Sequence, residues 1–389
     1  MRIALVTTYP PMQCSLGLYT RHLLRALAAR DERFSAVVIG EDGAAAGEEK
    51  GITVRPTYSR REDYREKILN AAVEARAEVV HFQYATDLFA RDERLPSLLE
   101  MLGRRGIRSV VTLHTVYADS WLFRFGPGRT PGWFHRELGR AADRLVVHHR
   151  AGMADLLVSQ GVPSEKIAVI PHGTELMALP DPVESRRLLD LPETGVLFTF
   201  FGFIHVQKNV HTVVEAFARI ARQTPQARLL VVGKPWDDRI YNRLYVQAMK
   251  ARVRLTGLSR QIIIRDGYLP AELVPRVFAA SDVLLLPHWQ RYGSASGVFH
   301  QAIGAQKPII VAKGPKFEDG LKRLESMPLL TPEPLRISQW SKAMSALAAD
   351  AGLRERAREI LAEYAEQTTW ARAAAAHAEV YEGLLTPAK

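Results

Sequence analysis

The stretch that most limits what this chain can fold into is residues 282–312, DVLLLPHWQRYGSASGVFHQAIGAQKPIIVA. Its apolar run at 283–286 has the length of a buried strand and stops at Pro287. A polar loop containing glycine and serine runs through Gly297. A short helix is then predicted over 298–305, and a second buried strand over 308–311. Strand, loop, helix and strand in that order require a parallel sheet. The loop then lies where a strand's carboxyl end meets a helix's amino end, and free N–H groups favour an anion there. Ser294, Ser296 and Gly297 suit close approach to a ligand's hydroxyls or phosphates. The same residues also serve simply to start a helix.

The pattern repeats along the chain. Strands are predicted at 3–7, 36–39, 79–82, 109–113, 144–148 and 168–170. Helical periodicity falls between them at 16–29, 62–75, 95–104 and 151–160. Pro171-His172-Gly173 ends this run, and Pro180, Pro182 and Pro192 punctuate a polar connection. The pattern restarts at 196–200, with further strands at 228–232, 262–265, 283–286 and 308–311, and the chain is helical from 337 to about 385. We therefore expect an α/β protein of two Rossmann-like, doubly wound domains. The expected boundaries are 1–175, 176–365 and a closing helix over 366–389 that returns to the first domain. If the strand carboxyl ends face one another across a cleft, Gly17, His114, Lys208 and Ser296 meet there.

At 389 residues the chain is long for one core. Its 47% hydrophobic and 24% charged residues are ordinary for a soluble globular protein. A single cysteine, Cys14, rules out an internal disulfide framework and suits a reducing compartment. Met1-Arg2 leads straight into a strand, so no secretory leader is expected, and no window is apolar enough to span a membrane. The net charge of +10 invites anionic partners. Its arginines are dispersed and no short nucleic-acid motif appears, so phosphorylated substrates or an anionic membrane surface account for the charge as well. Arginines that only solvate helix faces also account for it.

The first βα turn, 9–19, is not GxGxxG, so a dinucleotide fingerprint is absent. Gly17 with Ser15 reads first as loop punctuation. His114 closes a strand, at the edge where ligands bind, and His81 is placed at the end of another. Residues 117–136 read as a long loop that mixes Trp121, Phe123, Phe125, Trp133 and Phe134 with Arg124, Arg129 and Arg136. Such a loop suits a membrane surface, a carbohydrate acceptor or a flap packed on its own domain. Gly202 to Asn209 lies between a strand and a helix, where Lys208 can neutralise a diphosphate. Lys234 follows the next strand in the same way; one such lysine is unremarkable, but two converging loops make a site. No GxSxG, HExxH, Walker A or CxxC motif occurs.

Together these segments resemble the GT-B nucleotide-sugar glycosyltransferases, specifically the family-four group of retaining enzymes. The resemblance rests on TRHLLRALA near the amino end, Thr-Leu-His at 112–114, KIAVIPHGTE at 166–175 and GFIHVQKNVHTVVEAF at 202–217. It continues through LLVVGK at 229–234, SGVFHQAIGAQKPIIVA at 296–312 and the closing TTWARAAAAHAEVYEGLL. It implies transfer of a sugar from a nucleoside diphosphate donor to a carbohydrate or lipid-linked acceptor, with retention, without a metal and with no cofactor. Cysteine usage and the lack of a leader lead us to expect a cytoplasmic enzyme of polysaccharide biosynthesis; the 117–136 loop offers peripheral contact at the inner membrane face as one option, and no nucleic-acid partner is expected.

By the same resemblance His114 and Lys208 are the catalytic candidates. The donor-binding candidates are Gly17 and Gln301 by the resemblance, and Gly202, Lys234, Ser294, Ser296 and Gly297 by their place in loops that follow strands. Phe203 stands where the family has an arginine, and Gly293 and Gln301 stand where it has paired glutamates. A branch of the group lacks that pair. These departures motivate the rival reading of a catalytically degenerate protein that binds a nucleotide sugar without transferring it. A sugar phosphorylase on the same fold would need a pyridoxal phosphate lysine, and none is identifiable. Nucleic-acid binding rests on charge alone.

Overall fold

The computed structural model describes residues 1–120, 129–236, 239–290 and 292–386. Its strands are β1 (Arg2–Thr7), β2 (Ser35–Glu41), β3 (Gly47–Glu49), β4 (Ile52–Tyr58), β5 (Val79–Tyr84), β6 (Arg108–Leu113), β7 (Thr115–Val116), β8 (Arg144–Val147), β9 (Ile167–Val169), β10 (Leu197–Phe201), β11 (Arg228–Val232), β12 (Ile262–Arg265), β13 (Val283–Leu286), β14 (Gly293–Ser294) and β15 (Ile309–Val311). The helices are α1 (Ser15–Arg30), α2 (Arg65–Glu74), α3 (Arg94–Arg104), α4 (Pro131–Ala141), α5 (Asp155–Ser159), α6 (Pro182–Leu188), α7 (Val210–Ile220), α8 (Ile240–Leu255), α9 (Val274–Ala280), α10 (Gly297–Gly304), α11 (Glu318–Arg323), α12 (Ile337–Ala349), α13 (Ala351–Gln367) and α14 (Trp370–Leu385). The chain divides into two units: Met1–Gly173 with Tyr292–Ala295 and Thr368–Lys389, and Thr174–Arg291 with Ser296–Gln367.

The first unit is built on a sheet ordered β3-β4-β2-β1-β5-β6-β8-β9, parallel except where β3 runs against β4. The central strands are apolar on both faces, so each face must be covered. One face packs α2, α3 and α4 through Ile68, Leu98, Phe134 and Leu138. The other packs α1 and α14 through Leu23, Leu24, Ala374 and Tyr381. Alanines let α14 lie close to its neighbours, and at the helix's start a Cβ on Gly173 would meet the Trp370 ring at 2.2 Å. His81 therefore faces α14 from the middle of β5 and does not end the strand. Its Nδ1 is 2.7 Å from the Tyr381 hydroxyl and its Nε2 is 2.7 Å from Thr112 Oγ1.

The second unit has a fully parallel sheet ordered β12-β11-β10-β13-β15. Phe198, Phe200, Phe217, Leu285, Ile310 and Trp340 fill its main core. The switch in strand order falls between β10 and β13, because β11 and β12 follow β10 on one side while β13 and β15 lie on the other.

Several expectations are corrected. Residues 117–136 are not one long loop: Thr130 caps α4, which starts at Pro131, a residue pre-set for a first helical turn. Phe134 is buried, and Trp133 packs against the core with Arg129 5.1 Å from its ring. Phe134 therefore offers no membrane-facing surface, Trp133 is half-buried against the core, and Trp121, Phe123, Arg124 and Phe125 fall outside the described residues. Pro182 does not interrupt a loop but opens α6, where Asp181 accepts a 2.7 Å bond from the Glu184 N–H. The loop after Pro287 contains β14, which pairs antiparallel with β7 through Gly293 to Val116 and Ser294 to Thr115. Strand β4 was not expected, because Pro56 breaks its pattern. The sheet tolerates that proline at an irregularity between Gly40 and Glu41 of β2.

Candidate functional site

The site is clearest in the second unit, at the carboxyl ends of β10, β13 and β15. Loops on either side of a switch in strand order leave for opposite faces of the sheet and open a crevice between them. After β10 the chain passes Gly202, at φ +122°, and tightens into a single turn over Val206–Lys208. Asn209 follows at φ +53°, where its side-chain oxygen accepts a 2.8 Å bond from the Thr212 hydroxyl and so fixes the start of α7. This places Lys208 at the crevice. Its Nζ lies 2.6 Å from Nε2 of His288, two residues beyond β13. The Trp289 N–H donates to the Gln207 carbonyl at 2.8 Å and ties the two loops together.

The charges in this crevice oppose one another. Burial pushes the Lys208 ammonium down to about 8. Burial and then the charges of Lys208, Lys316 and His205 hold His288 well below the ordinary imidazole range, against a hydrogen bond with the Leu286 backbone. Burial and then Lys208 hold the Lys316 ammonium far below its usual range. His288 is thus a neutral acceptor for the lysine N–H. An anion placed here would favour every charged form that burial and mutual repulsion now disfavour.

The loops after β10 and β11 converge. Gly202 N–H donates to Val232 O at 3.0 Å, Ile204 N–H to Lys234 O at 2.8 Å and Trp236 N–H to Ile204 O at 3.2 Å. A Cβ on Gly233, whose φ is +150°, would fall 1.8 Å from the Gly202 carbonyl oxygen. Only a glycine at 233 allows that approach. Lys234 Nζ lies 5.7 Å from the centre of the Phe203 ring. A Cβ on Gly202 would also lie 3.4 Å from Val298 in the first turn of α10, so Gly202, Lys234 and Gly297 share one edge of the sheet.

Other candidates have local work. Ser296 is buried and accepts a 3.3 Å bond from the Phe299 N–H, which makes it the cap of α10. Gln301 is half-buried on the same helix. In the first unit a Cβ on Gly17 would lie 3.0 Å from the Thr8 carbonyl oxygen, so this glycine lets α1 approach the end of β1. Ser294 lies in β14, and its carbonyl is 3.3 Å from His149 Nε2. His114 is buried directly after β6, with Nε2 2.8 Å from the Gln83 side chain and Nδ1 3.1 Å from His148 Nε2. His148 Nδ1 in turn faces the Ile170 carbonyl at 3.1 Å. Gln83 Oε1 accepts from the His114 Nε2–H, which leaves His114 Nδ1 to accept from His148 Nε2. Burial holds both rings well below the usual imidazole range.

His288 and Lys316 were missed in the sequence. The available signal was a basic residue shortly after each of two predicted strands, in LLLPH and IIVAKGPK. Among the described residues no group of three or more His, Cys, Asp or Glu side chains is placed to hold a metal ion, and no helix is long and apolar enough to cross a membrane.

Two parallel, doubly wound units with a basic crevice at a switch point define the GT-B class of fold. Solved structures agree at the level of fold. Sucrose-phosphate synthase from Thermosynechococcus elongatus superposes with a TM-score of 0.76 at 16% identity, covering 99% of each chain. Anabaena HepE in complex with UDP superposes with a TM-score of 0.72 at 15% identity, covering 98% of this chain and 100% of its own. Residues 16–177 match Glycosyltransferase Family 4 and residues 195–350 match Glycosyl transferases group 1, and the chain belongs to this glycosyltransferase family. Among curated relatives, D-inositol 3-phosphate glycosyltransferase of Segniliparus rotundus is 27% identical over 54% of this chain. The protein of that name from Stackebrandtia nassauensis is 26% identical over 70%. The matches span 46% and 62% of those relatives' lengths.

Proposed function

We propose that this protein transfers a sugar from a nucleoside diphosphate sugar to a carbohydrate or lipid-linked acceptor, with retention of configuration, in the cytoplasm. The observation that carries this reading is the pairing of Lys208 with His288 at the switch point of the second unit's sheet. Breaking the bond between sugar and diphosphate leaves growing negative charge on the departing phosphate. A half-buried ammonium fixed in place before the reaction stabilises that charge without reorganising, which is the largest single contribution available to such a site. Lys208 supplies this stabilisation, and Lys234 and the converging Gly202 and Gly233 loops border the same edge.

The relatives are named for inositol 3-phosphate, and UDP or a UDP-sugar is named with several structural neighbours; both support the class of reaction. His114 has both ring nitrogens engaged within its own unit, so it takes a supporting place in this reading, and Gln301 remains the proposed contact for the nucleotide ribose. The test is turnover. The protein is incubated with UDP-, GDP-, ADP- and dTDP-sugars, with a cell-envelope extract as acceptor, and free nucleoside diphosphate is measured. Release from at least one donor, dependent on the extract and lost in Lys208→Ala, is expected. Tight donor binding with no release from any donor would establish the degenerate binding protein instead.

A further inference from the structure

We propose that Lys316 is a second phosphate-binding residue of this site, reaching the diphosphate from the loop after β15 as Lys208 does from the loop after β10. The inference rests on the donor reading above and extends it to a residue outside the motifs that suggested it. Its basis is topological. Strand β13 leads to His288 and strand β15 leads through Lys313-Gly314-Pro315 to Lys316, and these strands are hydrogen-bonded neighbours in register, Leu286 beside Val311. The Ala312 N–H donates to the Leu286 carbonyl at 2.9 Å, so the two chains leave the sheet together. Phe317 then packs its ring edge-on against His288, with centroids 5.1 Å apart, which holds the Pro315–Phe317 turn against the crevice. Lys208, His288 and Lys316 therefore come from three adjacent strands, and the charge of Lys316 is felt at His288.

Two ammonium groups on one crevice cost stability while the site is empty, because each disfavours the other's charge. A diphosphate carries charge on both phosphoryl groups, so it can satisfy one cation at each, whereas a single phosphate cannot engage both equally. The other charged groups around this turn are His205 on the Lys208 side, the Lys313–Glu333 pair at 3.4 Å, and Glu318 at the start of α11. The Lys313–Glu333 pair is solvent-exposed, which screens it from the crevice.

The experiment is calorimetric titration of UDP and GDP, and of uridine and guanosine, into the wild-type protein, Lys208→Ala, Lys316→Met and Lys316→Arg. Each is measured at pH 7.5 in two buffers of different ionisation enthalpy. Lys316→Met is expected to lose about ten- to hundredfold in diphosphate affinity, the scale of one charge-assisted hydrogen bond. It should also take up fewer protons on binding than the wild type, and Lys316→Arg should recover most of the affinity. Nucleoside affinity should stay the same; Lys316→Gln serves if the methionine variant is unstable. Unchanged diphosphate affinity in Lys316→Met, with the loss confined to Lys208→Ala, would overturn the role of Lys316 and leave the donor reading intact. Equal losses for diphosphate and nucleoside would also overturn it, as a structural effect. A wild-type protein that binds neither diphosphate would bring down the donor reading itself, and Lys316 with it.

Discussion

Lys208 Nζ lies 2.6 Å from His288 Nε2 across 80 residues of sequence, with both groups held toward their neutral forms by burial. Burial of Lys208 makes the crevice respond to pH. The free protein's Lys208 titrates near 8, and a bound diphosphate raises that value. Below pH 8 Lys208 is charged with or without ligand, so it adds no pH dependence of its own there. Above pH 8 the free lysine is neutral and binding must take up a proton, so affinity falls by about tenfold per pH unit until the raised value is passed. Titration of UDP between pH 7 and pH 10 checks this; affinity that is level over the whole range would show that Lys208 does not meet the phosphates.

A second prediction concerns Gly233→Ala. Its Cβ would collide with the Gly202 carbonyl oxygen at 1.8 Å, and a φ of +150° is one that alanine rarely adopts. Strain of this kind costs about 1–3 kcal/mol before any clash is counted. The variant should lose at least that much stability to urea and should bind nucleoside diphosphate more weakly, since both loops must separate. Wild-type behaviour in both assays would mean that the loops do not need to touch.

Acid should destabilise the first unit. Burial, as the largest cause, holds His81, His114 and His148 well below 6.5 and brings His135 and His377 to about 4. Their folded values are depressed, so the unfolded chain binds the proton first as pH falls. The stability they contribute is complete above about pH 6.5 and is lost below it, at up to about 1.4 kcal/mol per histidine per pH unit. Urea denaturation at pH 7.5 and pH 5.5 should therefore give a lower midpoint at pH 5.5, and equal midpoints would contradict the buried neutral rings.

Tyr381→Phe tests the seat of α14. It removes the hydroxyl that lies 2.7 Å from His81 Nδ1 and leaves a buried ring nitrogen unpaired. A loss of about 1–3 kcal/mol is expected. No change in thermal unfolding would mean that water replaces the hydroxyl.

Much of this was legible in the sequence because it depends on short-range periodicity. The runs at 228–232, 262–265 and 283–286 coincide with β11, β12 and β13, since buried parallel strands are continuous apolar segments. Lys208 was legible because it sits between a strand and a helix. His288 and Lys316 were not, because what defines them is adjacency of β13 and β15 in the sheet, which spacing along the chain does not carry. Ser296 was visible as a residue that starts a helix, and its hydroxyl does cap α10. Ser294, two residues earlier, belongs to the other unit through β14, a pairing two residues long that leaves no periodic trace. Strand β4 was hidden by its own proline.

The most direct test of the central claim is the affinity of Lys208→Ala for a nucleoside diphosphate, measured beside its nucleoside. If the crevice at the switch point holds the diphosphate, UDP or GDP binding should weaken by roughly 2–3 kcal/mol while uridine or guanosine binding is nearly unaffected. Unchanged diphosphate affinity in a folded Lys208→Ala protein would contradict the account.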